Sequence, residues 1–267
     1  ESPSVVQLAR TIAGARKSDK LPAAVLRTGS GNPVFFFPPG GGNALSYLQL
    51  ASHWTLDCPL VGLESPGLRG DELPAGTLEE MASDFVSVLK QIQPRGPYAL
   101  AGWSFGGTIA YEAAVQLQAR GERIERLILI DSGVLYAGKV MNAIFPPGEL
   151  GLFDLLRLPA DEQVVEFRRR TDAAGLIPPG AHYQVFLANA RAMISYRPGR
   201  YEGRLALLLG EEPLVRVRRS PADEWRDYCD DVEVCTVPGN HLTLIREPHV
   251  CGLAAAIEDI VGGRSSI

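Results

Sequence analysis

The sequence predicts an α/β fold in which a mostly parallel central sheet carries helices on both faces. Short apolar runs alternate with helical patterns from residue 23 to residue 131, and the alternation resumes from residue 205 to residue 261. Such alternation is typical of parallel sheets whose strands are joined by helices. The length of 267 residues suits one large α/β domain with room for an insertion.

Composition excludes several classes of protein. Hydrophobic residues make up 46% of the chain and charged residues 21%, as in ordinary globular proteins. The net charge of −5 gives no general attraction to nucleic acid or to an anionic membrane. No apolar run is as long as a membrane span, and no signal-peptide core is present. The four cysteines form no C-x-x-C pair, so we expect reduced thiols in a cytoplasmic protein.

The first elements are two short strands, predicted at 23–26 and 34–37. The run Pro-Pro-Gly-Gly-Gly at 38–42 follows the second strand and predicts a loop at its carboxyl end. Ligands bind at that end of an open parallel sheet. A helix is predicted over 44–54.

Further strands and helices continue the alternation. Thr77 and Glu80 have the spacing of a capping box, which predicts that a helix begins there and runs to about Gln93. The other predicted elements are a strand over 60–63, a strand over 98–101, a helix over 108–118 and a strand over 127–130.

The sequence Gly-Trp-Ser-Phe-Gly-Gly at 102–107 stands at one of these strand-to-helix junctions. A G-x-S-x-G motif in that context is a nucleophile elbow, which lifts the serine hydroxyl above the sheet. Gly102 and Gly106 are needed because a Cβ at either position would collide with the neighbouring strand or helix. The motif therefore predicts Ser104 as a nucleophile and the α/β-hydrolase fold.

The alternation stops between residues 135 and 200, where helical patterns occur without strands. We interpret 135–200 as a helical lid insertion, the alternative being extra helices that pack around the sheet. The core would then comprise 21–134 and 201–267, with strands at 205–209 and 232–237 and a closing helix over 249–261.

A serine nucleophile needs a base and an acid that orients the base. His241 follows the last strand in a Gly-Asn loop, where this fold supplies its histidine, whereas His53, His182 and His249 lie in a helix, in the insertion and at the start of the last helix. Asp131 directly follows an apolar strand and is the favoured acid. Glu211 and Glu212, after the next strand, are the alternative.

Backbone amides would hold the oxyanion of such a reaction. We predict the amides of Gly40, in the glycine loop, and of Phe105, directly after the nucleophile. The alternative for residues 38–42 is a plain strand-to-helix turn. No metal-ligand spacing and no phosphate-binding loop is present, so no cofactor is expected.

Five segments resemble a known family. They are FFFPPGGG at 35–42, GWSFGG at 102–107, LILIDS at 127–132, YRPGRYEGRLALL at 196–208 and PGNHLTLI at 238–245. With them the chain resembles the type I thioesterase domains that end modular polyketide synthases and nonribosomal peptide synthetases. The resemblance supports Asp131 over Glu211, because the acid of these domains directly follows the strand after the elbow helix.

The resemblance implies a partner and a substrate. An acyl or peptidyl carrier domain upstream would deliver an acyl thioester on its phosphopantetheine arm, and Ser104 would take the acyl chain. Release would follow by hydrolysis or by cyclisation. Residues 1–20 resemble the last helix of a carrier domain with a linker, and the absence of an initiator Met suggests an excised domain. A cloning remnant or a frayed helix is the alternative.

Two other functions use the same fold. A free-standing serine esterase or lipase would share the chemistry and differ in the acyl donor. A binding domain that has lost catalysis would need a missing triad residue, yet Ser104, Asp131 and His241 are all present. Arg216, Arg218 and Arg219 form a basic patch that either faces solvent or docks an acidic partner.

Overall fold

Seven strands form one sheet in the part of the chain that the computed structural model describes, residues 22–68, 76–134, 152–173, 183–213 and 219–264. Their spatial order is β1-β3-β2-β4-β5-β6-β7. The strands are β1 (Ala23–Arg27), β2 (Val34–Phe37), β3 (Leu60–Leu63), β4 (Tyr98–Trp103), β5 (Ile124–Ile130), β6 (Tyr201–Gly210) and β7 (Cys229–Val237).

The sheet is parallel except at one edge. β1 runs antiparallel to β3, with Ala23 opposite Leu63, and every other neighbouring pair is parallel. The carboxyl ends of β2, β4, β5, β6 and β7 therefore meet at one end of the sheet. This confirms the predicted mostly parallel sheet and places the loops that follow these strands side by side.

Helices cover both faces because the strand residues alternate between two apolar cores. The helices are α1 (Leu48–Ser52), α2 (Leu78–Ile92), α3 (Phe105–Ala119), α4 (Leu152–Leu155), α5 (Ala160–Ala173), α6 (Tyr183–Ser195), α7 (Pro221–Trp225) and α8 (Val250–Val261). Phe35 and Phe37 of β2 pack on the side of α2 and α3, whereas Val34 and Phe36 pack on the side of α1 and α8.

The helix predicted over 44–54 is shorter than expected. Ala44–Tyr47 forms a 3₁₀ turn and only Leu48–Ser52 is α-helical. The amide of His53 bonds the carbonyl of Leu50 at 3.1 Å, three residues back, so the last turn tightens and the helix ends. His53 therefore caps α1 instead of lying inside it. The capping box predicted at the start of α2 is confirmed.

Helix α7 was not predicted, although the sequence contains the signal of a helix N-terminus at this place. The Ser220 side chain accepts from the Asp223 amide at 3.2 Å, and Pro221 occupies the first helical position. This capping box with proline at the first position is typical of a helix N-terminus. The helix is only five residues long, so it shows little apolar periodicity.

The insertion contains helices α4, α5 and α6 and no strand among its described residues, 152–173 and 183–200. Helix α6 packs on both sides. Ala192 and Met193 join the core of the sheet, whereas Leu187 and Ala190 join a small separate core with side chains of α4 and α5. The insertion is thus attached to the sheet through α6.

The end of α6 is fixed to the elbow helix by a buried hydrogen bond. The Tyr196 hydroxyl donates to a Glu112 carboxylate oxygen of α3 at 2.8 Å, and both residues are almost fully buried. Burial, together with the Glu112 charge, raises the pKa of Tyr196, so the phenol keeps the proton that it donates.

Several predicted features lie outside the described residues. They are the carrier-like segment at 1–20, the parts of the insertion at 135–151 and 174–182 with His182, and Arg216 and Arg218. Arg219 is described, and it pairs with Asp227 at 2.7 Å. In the described part of the chain, no helix is long and apolar enough to cross a membrane.

Candidate active site

Ser104 lies alone between β4 and α3 in a strained backbone conformation. Its φ of 58° and ψ of −126° are unusual for a residue with a side chain. Such a conformation costs on the order of 1–3 kcal/mol and persists only where the surroundings fix it. The Ser104 amide donates to the Ile130 carbonyl at 2.9 Å, which ties the turn to the neighbouring strand β5.

Three glycines allow the elbow to close this tightly. A Cβ at Gly102 would lie 2.2 Å from the backbone of Gly106, on the first turn of α3. A Cβ at Gly106 would lie 2.4 Å from the Phe37 carbonyl oxygen, and one at Gly107 would lie 2.6 Å from Ser132. The predicted need for glycine at 102 and 106 is confirmed, and Gly107 meets a similar constraint.

His241 reaches the serine from the loop after β7. Its Nε2 lies 3.0 Å from Ser104 Oγ, and its side chain is 5% exposed. The Asn240 side chain accepts from the amides of Leu242 and Thr243 at 3.0 and 3.2 Å, which fixes the turn around the histidine.

Trp103 also holds the histidine loop. Its indole N–H donates to the His241 carbonyl at 3.1 Å, and the two rings lie 5.5 Å apart between centroids. Trp103, the residue directly before the nucleophile, therefore fixes the backbone of His241, whose imidazole contacts Ser104. The motif itself carries no signal for this contact, which was not predicted.

Asp131 lies at the carboxyl end of β5 on the other side of the imidazole. Its Oδ2 is 2.8 Å from His241 Nδ1, and its Oδ1 accepts from the Gly210 amide at 3.2 Å. The backbone of Asp131 has a φ of 44° and is held by a 2.7 Å bond from its amide to the Leu208 carbonyl. A carboxylate can only accept, so Nδ1 carries the proton and Nε2 accepts from Ser104.

The structure brings Ser104, His241 and Asp131 into one chain of hydrogen bonds and leaves the alternatives outside it. Glu211 and Glu212 are exposed on the loop after β6. His53 pairs with Glu247 at 2.6 Å, on a partly exposed surface. His249 lies half-buried directly before α8.

The glycine loop predicted at 38–42 forms a tight turn next to the elbow. The Gly42 amide donates to the Pro39 carbonyl at 2.7 Å, and Gly42 has a φ of 77°, which favours glycine. Because the Pro39–Gly40 peptide is trans, the Gly40 N–H points away from that carbonyl and out of the turn.

Phe105 is the first residue of α3. The first amides of a helix have no carbonyl partner within it, and the helix dipole places positive potential there. The Phe105 amide is thus suited to hold a negative charge that develops beside Ser104.

Helix α6 of the insertion contacts the glycine loop directly. The Asn189 side-chain amide donates to the Gly40 carbonyl at 2.9 Å, and Asn189 is 2% exposed. A Cβ at Gly40 would lie 2.9 Å from the Phe186 ring, which stacks on Phe167 with 4.7 Å between centroids. Asn189 was not predicted as a site residue. The available signal was a polar residue between Phe186, Leu187 and Ala190 on an apolar helix.

No metal site accompanies these groups in the described ranges, where no three His, Cys, Asp or Glu side chains cluster as ligands would. The arrangement instead provides a hydroxyl, an imidazole and a buried carboxylate in one hydrogen-bonded chain. These are the groups that acyl transfer through a serine ester requires.

Comparison with known protein families identifies the family of this chain. Residues 32–261 match the family model of the Thioesterase domain. The chain belongs to the Thioesterase domain family. Its α/β-hydrolase fold is shared with solved thioesterase domains. One is the NocB thioesterase domain from the nocardicin cluster, which is 31% identical with a TM-score of 0.67 over 88% of this chain and 96% of that one.

A second solved thioesterase domain, that of Vlm2 bound with a dodecadepsipeptide, is 25% identical with a TM-score of 0.68, over 89% of this chain and 96% of that chain. Among curated proteins, the dimodular nonribosomal peptide synthase of Bacillus subtilis (strain 168) is 33% identical over 189 residues, 65% of this chain and 8% of that protein. The thioesterase chain thus spans a small part of the curated synthetases that it matches.

One relative is named as inactive. The inactive atromentin synthetase invA6 of Paxillus involutus is 26% identical over 262 residues, 89% of this chain and 27% of that protein. Family membership therefore does not by itself make a member active. Whether this chain is catalytic therefore depends on its own residues.

Proposed function

We propose that this chain is a thioesterase that releases a polyketide or peptide acyl chain from a carrier domain through an acyl-Ser104 intermediate. The observation that carries the proposal is the hydrogen-bonded chain from Ser104 through His241 to Asp131, at a strained elbow. Relatives named as nonribosomal peptide and polyketide synthases supply the substrate class.

In the first half-reaction, Ser104 Oγ attacks the thioester carbonyl while His241 Nε2 takes the hydroxyl proton. Asp131 keeps the Nδ1–H tautomer and stabilises the imidazolium. The Gly40 and Phe105 amides hold the oxyanion of the tetrahedral intermediate, each donor contributing roughly 3 kcal/mol. Collapse of the intermediate breaks the C–S bond, and the imidazolium protonates the departing thiol of the phosphopantetheine arm.

In the second half-reaction, water or a hydroxyl or amine of the acyl chain attacks the ester carbonyl. His241 takes the proton of the attacking group, and the same amides hold the second oxyanion. Collapse breaks the bond to Ser104 Oγ, which recovers its proton from His241. Water gives a free acid, and an internal nucleophile gives a ring.

The helical insertion has its own role in this proposal. Helix α6 lies against the glycine loop through Asn189 and Phe186, so it covers one side of the site. We propose that the insertion forms a lid over the acyl chain, which limits the access of water to the ester. The Phe186 and Phe167 rings would give this wall an apolar surface.

Intact-mass spectrometry after mixing with an acyl N-acetylcysteamine thioester tests the proposal. We expect an acyl-sized mass gain or thiol release with the wild type and neither with Ser104→Ala. Ser87→Ala, which removes an exposed serine of α2, is the matched control and should behave as wild type. The mass of the released product distinguishes the acid from the ring.

The esterase alternative is tested with the same protein. A carrier-bound acyl thioester should turn over faster than a simple ester of the same acyl group. Faster turnover of the free ester would contradict the carrier-domain partner while leaving the serine chemistry intact. Absence of any adduct across several acyl lengths, together with no labelling by a fluorophosphonate, would contradict the catalytic proposal itself.

A further inference from the structure

Tyr47 is a fully buried tyrosine whose hydroxyl lies between two backbones of the active site. It ends the 3₁₀ turn before α1, and its ring packs on Phe36 with 4.9 Å between centroids. The hydroxyl donates to the Phe37 carbonyl at 2.6 Å and accepts from the Trp103 amide at 3.0 Å. Both of its ordinary hydrogen-bonding roles are therefore used.

The two bonded residues directly precede the two segments that carry the proposed oxyanion donors. Phe37 ends β2, immediately before the loop that contains Gly40, and Trp103 ends β4, immediately before Ser104 and Phe105. The last paired residues of β2 and β4 are Phe37 and Gly102, and Gly102 directly precedes Trp103. The Tyr47 hydroxyl thus bridges the backbones where the sheet ladder stops and the two segments separate.

The Phe37 carbonyl has a second close neighbour. A Cβ at Gly106 would lie 2.4 Å from its oxygen and 2.9 Å from the Pro38 oxygen. The first turn of α3 therefore sits directly against the start of the glycine loop. Gly106 limits how far the two segments can approach, and the Tyr47 bridge limits how far they can separate.

We propose that Tyr47 is a positioning residue that sets the separation of the Gly40 and Phe105 amides. This inference rests on the proposed function, since it concerns the oxyanion site of that reaction. Amide donors stabilise an oxyanion only over a narrow range of distances, so a small change in their separation weakens the transition state more than the bound substrate.

Burial raises the pKa of Tyr47 above its ordinary value. The hydroxyl therefore stays protonated, and a donor to Phe37, at neutral and moderately alkaline pH. The bridge itself adds no pH dependence to turnover, and its removal should lower kcat by the same factor across that range.

Tyr47→Phe tests the inference, because it removes the hydroxyl and keeps the ring. We expect kcat for an acyl thioester to fall between about 10-fold and 100-fold with KM changed less than about twofold. The rate at which a fluorophosphonate labels Ser104 should fall similarly, because its phosphoryl oxygen occupies the same oxyanion site.

Tyr98→Phe is the matched control. Tyr98 is also fully buried, and its hydroxyl donates to the Gln93 carbonyl at 3.0 Å. It begins β4, six residues before Ser104, which is roughly 20 Å along the strand. This variant loses the same kind of bond at the other end of the sheet, so its kcat and labelling rate should match wild type.

Each rate is divided by the folded fraction of the variant, which near-ultraviolet circular dichroism measures. A second variant carries 4-aminophenylalanine at position 47, which keeps an N–H donor to the Phe37 carbonyl on the same ring carbon but accepts poorly from the Trp103 amide, so it should recover part of the lost rate. Wild-type rates in Tyr47→Phe, or an equal loss in Tyr98→Phe, would overturn the inference. So would a folded amino variant with no recovery.

The labelling rate separates this inference from the proposed function. A wild type that labels at Ser104 but releases no thiol from thioesters would contradict the thioesterase proposal, and the labelling rates of the two variants would still decide the role of Tyr47. A wild type that the fluorophosphonate does not label would overturn both.

Discussion

At the carboxyl end of the sheet, two neighbouring strands lead into residues with positive φ that are not glycine, Ser104 at 58° and Asp131 at 44°. At the amino end, the turn that leads into β5 has its positive φ at a glycine, Gly121 at 76°. No other non-glycine residue in the described ranges has a positive φ. Backbone strain is therefore concentrated at the end of the sheet that holds the candidate site.

The two ends also differ in what their hydrogen bonds fix. Bonds from the Ser104 and Asp131 amides to neighbouring strands hold two side chains at set positions. At the amino end, Gln93 bonds the Arg95 and Pro97 carbonyls, and Tyr98 bonds Gln93. Those contacts close a loop without presenting a reactive group. We therefore predict that changes at the carboxyl end reduce activity, whereas changes at the amino end affect stability alone.

The largest effect should come from Asp131→Asn. Asparagine tolerates positive φ, so the backbone should keep its conformation while the histidine loses its tautomer control. We expect kcat to fall by roughly 10⁴-fold, measured with an acyl thioester. Glu211→Gln, at the exposed alternative, should stay within about twofold of wild type. The reverse pattern would make Glu211 the acid.

Gly106→Ala should affect both activity and stability. Its Cβ would lie 2.4 Å from the Phe37 oxygen, so either the elbow or the glycine loop must move. We expect kcat to fall about 100-fold and the free energy of unfolding to fall by about 2 kcal/mol. Gly41→Ala, which meets nothing within 4 Å, is the stability control. Equal unfolding midpoints for the two variants in urea would contradict the packing argument.

Asn189→Asp tests the contact between the insertion and the glycine loop. The shape is kept, but a carboxylate oxygen would face the Gly40 carbonyl in place of an amide donor. We expect kcat to fall about tenfold, because the loop that carries the Gly40 amide loses the hydrogen bond that holds it to α6. Ser195→Ala, on the exposed end of α6, should leave kcat unchanged. A wild-type kcat in Asn189→Asp would mean that the loop holds its shape without α6.

Sequence alone could locate the elements that have local signals. Ser104 lies in a motif flanked by a strand and a helix, and the Thr77 capping box marked the start of α2. Asp131 and His241 were found as polar residues at the ends of apolar strands. Each of these positions has a signal within one turn or one strand, although the choice of Asp131 over Glu211 also drew on the family resemblance.

The supporting contacts lacked such signals because they join distant parts of the chain. Asn189 and Gly40 are 149 residues apart, and Tyr47 and Trp103 are 56 apart. Their pairing depends on how α6 and the turn before α1 pack against the sheet, which no short pattern encodes. The positive φ of Asp131 likewise has no local signal in the sequence, because the hydrogen bond that holds it runs from the Asp131 amide to Leu208 of β6.

The smallest effect concerns Glu122 at the amino end of the sheet. Its carboxylate lies 2.6 Å from Lys90 Nζ and accepts from the Gly96 amide at 3.1 Å. These bonds lower the pKa of Glu122 below its ordinary value of 4.5. The charged form therefore stabilises the fold above pH 4.5, and that contribution is lost as the pH falls through the lower pKa of the folded state.

Glu122→Gln should thus lower stability at pH 7 and leave kcat unchanged. Lys90 is 38% exposed, so solvent screens the pair and the loss should be about 1 kcal/mol or less. Urea unfolding from pH 7 to pH 3 should show that the difference in the free energy of unfolding between wild type and Glu122→Gln decreases below pH 4.5. Glu125→Gln, an exposed carboxylate of the same region, should show no gap. A fall in kcat with Glu122→Gln would contradict the separation between the two ends, because this pair would then influence the geometry of the site across the whole length of the sheet.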